Sequence, residues 1–299
     1  MKNKFFTTIF YSGIILLTAC GGGGSDGSSN ETPTQGKEKI DYTKAESIES
    51  IYEPIISLSQ ENDNIALIGT EFAENIYYGI YASNNFKCSK GSFTKNSDKS
   101  ITFNNCEFDD SLKNELGDIV QLRIYAISGS VNSKEVLSTD SVRYETSLKN
   151  FKVIPPSDST ITFNGDFVSK YTRSSTQYQI KEMVLSVFDD ETKKTQQLMI
   201  NNYQLNVNNL MLTALGNIQG TPESKFFSVN FKSDVRFEND TDKIAFYPNF
   251  AEIMIEDTDN IKNTIKISNT SNYKALISAY ADGITVTGFP KTVEWDELN

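Results

Sequence analysis

The chain has 299 residues and a formal charge of −11, from 28 basic and 39 acidic residues, and it contains no histidine. Without histidine there is no Ser–His–Asp or Cys–His nucleophile, no ordinary zinc site and none of the side chain that most easily titrates near neutral pH. The acidic balance disfavours nucleic acid or anionic lipid as a partner reached through charge, and the length suits one large core or two smaller ones.

Residues 1–4 carry Lys2 and Lys4, and residues 5–19 form an apolar run too short to span a bilayer. A basic head, a short hydrophobic stretch and small residues before the cut describe an export signal. The run ends in Leu17-Thr18-Ala19-Cys20, which resembles the lipobox of bacterial lipoproteins. The resemblance implies cleavage before Cys20, a lipid on its sulfur and attachment to the membrane through that lipid. Gly21 follows where an aspartate would resemble an inner-membrane retention signal, so the expected address is the outer membrane. Cleavage removes Lys2 and Lys4 and no acid, leaving 26 basic against 39 acidic residues, a charge of −13. Residues 20–42, rich in Gly and Ser, read as a flexible tether with little to bury.

Folded structure is expected from residue 43. Thr43-Lys44-Ala45-Glu46 fits a capping box. Ile48, Ile51, Tyr52, Ile55 and Leu58 follow on one helical face. Pro54 is expected to kink or split this helix. A second helix is expected after Asp63, with Ile65, Ile68, Phe72 and Ile76 on its inner side, the helical segment covering residues 43–80.

From there to residue 299 the apolar period is two, as in Val229, Phe231, Val235 and Phe237. Polar turn clusters recur at residues 96–99, 128–130, 189–194, 239–243 and 257–263. Asn164-Gly165 and Asp282-Gly283 read as two-residue hairpin turns, the second pairing Ala281 with Ile284, Ala279 with Val286 and Ile277 with Gly288. The fold expected is mainly β, an antiparallel meander with a short N-terminal helical segment packed on it. The sequence leaves open one large curved sheet or two lobes divided near residues 155–159. The near-matching pentads at residues 100–104 and 160–164 read as shared strand composition.

Cys88 and Cys106 are the two remaining cysteines, and in an oxidising compartment they read as a disulfide. They are equidistant from Ser97, so folding there sets Cys88 opposite Cys106, Phe86 opposite Phe108, Phe93 opposite Ile101 and Gly91 opposite Phe103.

The tether glycines, the Phe103-Asn104-Asn105-Cys106 segment and the closing Thr292-Val293-Glu294-Trp295-Asp296-Glu297-Leu298 resemble a group of uncharacterised, exported, β-rich proteobacterial lipoproteins. That resemblance implies no activity. The acidic runs Asp240-Thr241-Asp242 and Asp257-Thr258-Asp259-Asn260 space carboxylates as calcium loops do, but neither continues with the glycine and late glutamate of an EF-hand. Asp109-Asp110 and Asp189-Asp190-Glu191 contain the residue type of a histidine-free glycosidase. Tyr77, Tyr78 and Tyr81 suit either a binding platform or buried packing. The function expected is a non-enzymatic outer-membrane lipoprotein, a structural or binding component of the envelope that needs no cofactor and meets an unknown protein or glycan. The alternative is a carboxylate-dependent hydrolase of envelope or external glycans.

Overall fold

A computed structural model describes residues 37–61, 64–82, 86–113, 119–154, 159–189, 193–222, 225–237, 248–271 and 273–298. Two helices, α1 (Ala45–Leu58) and α2 (Ile65–Ala82), follow a two-residue strand, β1 (Glu38–Lys39). Apart from a closing 3-10 turn (Trp295–Glu297), the other elements among the described residues are strands: β2 (Lys90–Lys95), β3 (Ile101–Lys113), β4 (Ile119–Leu137), β5 (Ser141–Ile154), β6 (Ser159–Thr172), β7 (Ser175–Asp189) and β8 (Lys194–Asn208). These continue into β9 (Met211–Gly220), β10 (Lys225–Phe237), β11 (Pro248–Asp257), β12 (Thr264–Ser271), β13 (Lys274–Ala281), β14 (Ile284–Thr285) and β15 (Lys291–Glu294).

All strands belong to one open 15-stranded sheet, in which β2 to β14 are sequential antiparallel neighbours. β1 lies parallel beside β10, and β15 pairs with β13. β5 and β6 pair from Ser141↔Thr172 to Val153↔Ile161, so the strands on either side of residues 155–158 are neighbours in the one sheet.

The period of two becomes a two-faced sheet. One cross-strand row runs Tyr178, Leu205, Ala214, Ser233, Ile253, Ile267, Ile277, and every member is buried. The adjacent row, Gln177, Asn206, Thr213, Asp234, Glu252, Ser268, is turned to the opposite, outer face. Thirteen strands laid flat would span about 60 Å, whereas two helices cover about 20 Å. Yet strands from β3 to β13 all bury inner-face residues in one core. The sheet therefore curls around the helices.

The curl coincides with a line of β-bulges. Pairing shifts register at one level across β3, β4, β5, β6 and β8, beside Asn105, Gly129, Asn150, Gly165 and Asn202. All five have positive φ. An extra residue in one strand bends it and increases its local twist, so bulges at one level crease the sheet from β3 to β8. At Gly129 a Cβ would lie 1.9 Å from the Asn150 carbonyl oxygen, which only glycine permits.

This crease corrects two expectations. Asn164-Gly165 is not a hairpin turn: it lies inside β6, where its tolerance of unusual φ serves a bulge. Residues 128–130 likewise sit within β4. The two similar pentads each stand immediately before a bulge residue, Asn105 and Gly165. Turns do form at residues 96–99 and 257–263. Those expected at 189–194 and 239–243 fall wholly or partly outside the described residues.

The helices pack inside the curl. α1 runs unbroken through Pro54 and buries Ile48, Ile51, Tyr52, Ile55 and Leu58 as expected. No capping box forms, because the Thr43 hydroxyl and amide both donate to the Asp41 carboxylate, at 2.7 and 3.0 Å. α2 buries Leu67, Thr70, Ala73, Glu74, Ile76, Tyr77 and Ile80, so of the expected face Ile76 is buried while Ile65, Ile68 and Phe72 are only half-buried, and the covered face is rotated towards Thr70 and Glu74. Its N-cap is Asn64, whose side-chain oxygen accepts the Ala66 and Leu67 amides at 3.1 and 3.3 Å. Tyr203 locks the corner: its hydroxyl accepts from the Asn64 amide at 2.9 Å and donates to the Leu58 carbonyl at 2.8 Å.

Candidate functional site

The chemistry-bearing residues gather on the two faces of β4 to β7, under α2 and opposite it. On the inner face, Glu71, Glu74 and Tyr78 are spaced to share one side of α2. They meet Ser133, Tyr144, Thr146, Ser169, Tyr171 and Tyr178, which the register places side by side on β4 to β7. The Thr146 hydroxyl donates to Glu74 Oε1 at 2.6 Å and the Ser169 hydroxyl to Oε2 at 3.4 Å. The Tyr178 hydroxyl lies 3.2 Å from Glu61 Oε1 and 3.1 Å from Glu71 Oε1. Tyr78, Tyr144, Tyr171 and Tyr178 form a chain of ring contacts with centroids 5.2 to 6.3 Å apart.

Among the described residues no lysine or arginine pairs with these three glutamates. Burial therefore dominates. It pushes the Glu74 carboxyl up to about 7, against the Thr146 bond and with the Glu71 charge, and raises Glu61 and Glu71 as well. The Tyr178 phenol is raised by its burial and by Glu71. Tyr178 has one proton and faces two carboxylates, so both contacts are hydrogen bonds when one carboxyl is itself protonated and donates. The cluster ties α2 to the sheet. Glu74 is 7% exposed, and both its oxygens are occupied.

On the outer face of the same strands lies a groove of about 410 Å³, lined by Val136, Arg143, Val168, Lys170, Gln177 and Gln179, with Ser138 and Ser141 at one end. It lies on a grid of side chains set by register, in which Lys134 and Glu145 stand beside the lining residues. One row runs Val136, Arg143, Lys170, Gln177; the next runs Lys134, Glu145, Val168, Gln179. Arg143 pairs with Glu145 at 2.8 Å. A second cavity, beside Trp295 and Ile56, measures about 20 Å³, room for a single water.

The residues singled out in the sequence are placed as follows. Cys88 and Cys106 form a disulfide with Cα atoms 5.1 Å apart, but the expected register is corrected. Phe93 faces Phe103 and Lys95 faces Ile101, because a positive-φ Lys99 centres the turn on Asp98 instead of Ser97. The extra residue of β3 at Asn105, opposite Gly91, then shifts the pairing again, so the bridge is diagonal and Cys88 precedes β2. Gly91 meets the Asn104 and Asn105 carbonyls, not the Phe103 ring. Cys20 lies outside the described residues, as do Asp190, Glu191, Asp240 and Asp242. Asp109 and Asp110 lie on β3 with side chains outside the described set.

At Asp257 and Asp259 the Lys39 ammonium stands 2.7 Å from each carboxylate, supplying from β1 the positive charge that a calcium loop takes from its ion. Tyr77 and Tyr81 both donate to the Lys99 carbonyl, at 2.9 and 3.0 Å, and Tyr78 shares a hydrogen with Ser133 at 3.1 Å. They tie α2 to the β2–β3 turn and to β4. Asp282-Gly283 turns β13 into β14 with Ala281↔Ile284, and the Val286 amide reaches the Ala279 carbonyl. Ile277 then pairs with Lys291 of β15 instead of Gly288.

Glu61, Glu71, Glu74, Arg143 and Lys170 do not stand out in the sequence as site residues. Glu71 and Glu74 left a trace, two acids within the apolar stripes of a helix. The groove left none, since it exists only through pairing of four strands. No protein-family model, curated protein or solved structure matches the chain.

Proposed function

We propose that this chain is a non-enzymatic lipoprotein of the outer membrane, held by a lipid on Cys20, whose sheet presents its outer face to a ligand. The anchor rests on the lipobox-like Leu17-Thr18-Ala19-Cys20. It also rests on the resemblance to exported β-rich lipoproteins, with which the single antiparallel sheet agrees in fold class. The binding role rests on one observation: the open groove on the outer face offers cations, amides and hydroxyls, while the clustered carboxyls face away from it under α2.

Radiolabelled fatty acid tests the anchor: wild type takes it up and Cys20→Ser does not, and equal labelling of both would refute the anchor. Crosslinking in intact cells followed by capture of the chain tests the binding role. A bound component is expected, and recovery of the chain alone at every crosslinker length counts against it.

The hydrolase reading draws on Glu74, whose carboxyl at about 7 suits a general acid. A glycosidase needs two carboxyls flanking an accessible bond, whereas Glu74 is buried and comes from the same helix as Glu71. Purified protein is expected to be silent across glycosidase, esterase and peptidase substrates. A turnover abolished by Glu74→Gln would reinstate the enzyme.

A further inference from the structure

We infer that the outer groove is a site for an acidic saccharide, a sugar carboxylate held between Arg143 and Lys170. The inference rests on the binding role proposed above and assigns its ligand. Arg143 and Lys170 are directly opposed across β5 and β6, an arrangement that destabilises a sheet because like charges face each other at about 5 Å. Lys134 stands opposite Glu145 on the neighbouring pair of strands. Three cations thus surround one carboxylate, in a chain that has 39 acids to 28 bases. Glu145 pairs with Arg143, and Lys170 has no ionic partner among the described residues. One anion between the two opposed cations relieves their repulsion.

The rest of the grid selects the kind of anion. Gln177 and Gln179 lie two apart on β7 and line the same groove, about 7 Å from each other along the strand. Each offers a donor and an acceptor, which matches hydroxyl groups that are both. Val136 and Val168 supply apolar floor for the C–H face of a ring. Four strands give the grid a length of about 15 Å, and the groove volume lies within the ~300–1,000 Å³ of small-ligand sites, far more than one phosphate fills. No aromatic side chain belongs to the grid, so it lacks the stacking platform that binds nucleobases.

The test is calorimetric titration of the purified full chain with digalacturonate. Its dimethyl ester, inorganic phosphate and a tetraglutamate peptide serve as comparisons. Digalacturonate is expected to bind, to weaken tenfold or more on methyl esterification, and to weaken similarly in Lys170→Gln and in Arg143→Gln. Without sugar, Lys170→Gln is expected to melt at or above the wild-type temperature, since it removes a like-charge contact. Added digalacturonate should raise the wild-type midpoint only.

Phosphate or tetraglutamate binding as tightly as the uronate would overturn the assignment, as would binding that survives Lys170→Gln, or no uronate binding at all. The parent reading fails separately. A chain that is captured with its partner in cells but takes no uronate loses only this ligand. A chain that takes uronate but no fatty acid loses the anchor and keeps the groove.

Discussion

Glu74 is a carboxyl almost wholly buried, and its consequence is a direction of pH dependence. Unfolded, a glutamate titrates near 4.5; in the folded chain Glu74 is held at about 7, chiefly by burial. The folded state therefore binds this proton more tightly. Its contribution is complete below about pH 4.5 and is lost as pH rises through about 7, amounting to about 3 kcal/mol. Glu61 and Glu71 are raised too and act in the same sense. The melting temperature is expected to fall between pH 5 and pH 8. Glu74→Gln, which keeps an acceptor for Thr146, should flatten that slope and stabilise the protein at pH 8. A wild-type midpoint that climbs over this interval would contradict the assignment. Gly69 makes a second residue-scale prediction. A Cβ there would lie 2.0 Å from the Phe163 ring, which is buried on β6. Gly69→Ala gains about 1 kcal/mol of helix propensity, but overpacking a rigid ring costs about 1–3 kcal/mol. A lower midpoint is expected, recovered in part by Phe163→Leu.

At the scale of elements, legibility depended on whether a signal is local. The α1 stripe Ile48–Ile51–Tyr52–Ile55–Leu58 is a property of one helix, and all of it is buried. The face of α2 was read less well. Its half-buried Ile65, Ile68 and Phe72 are more apolar than Thr70 and Glu74, which the sheet covers because Phe163 requires Gly69 and because Thr146 and Ser169 bind Glu74. Asn164-Gly165 shows the same limit in the strands: a residue pair that favours unusual φ serves a turn or a bulge, and the partner strand decides which. The cysteine pair was legible as a bond but not as a register, since one turn residue in left-handed conformation, Lys99, shifts every pairing. The bridge closes a loop of separation 18, so replacing both cysteines by serine is expected to cost about 3 kcal/mol. Denaturant unfolding of the double variant reads that loss directly, and an unchanged midpoint would leave the bridge without a stabilising role.

For the whole molecule, one curled sheet implies one cooperative unit. Trp295, the only tryptophan, is buried and donates from Nε1 to Asn269 at 3.0 Å. It sits beyond β15 at one end of the sheet, while Phe103 and Phe151 are buried towards the other. Fluorescence of Trp295 and far-ultraviolet circular dichroism are expected to report the same urea midpoint. Two separated transitions would mean that the ends of the sheet unfold as independent lobes.

The sequence by itself determined what depends on composition and on neighbours along the chain. That is the exclusion of histidine chemistry, the expectation of a lipid on Cys20, the mainly antiparallel β class, the α1 face, the Asp282-Gly283 turn and the cysteine pair. Tertiary structure alone decided whether the sheet is one or two, where it creases, which side of α2 is covered, and what lies beside Glu74 or Lys170. The physical reason is distance along the chain. Thr146 reaches Glu74 across 72 residues and Lys39 reaches Asp257 across 218, and such meetings are set by the register of successive strands, which local periodicity does not encode.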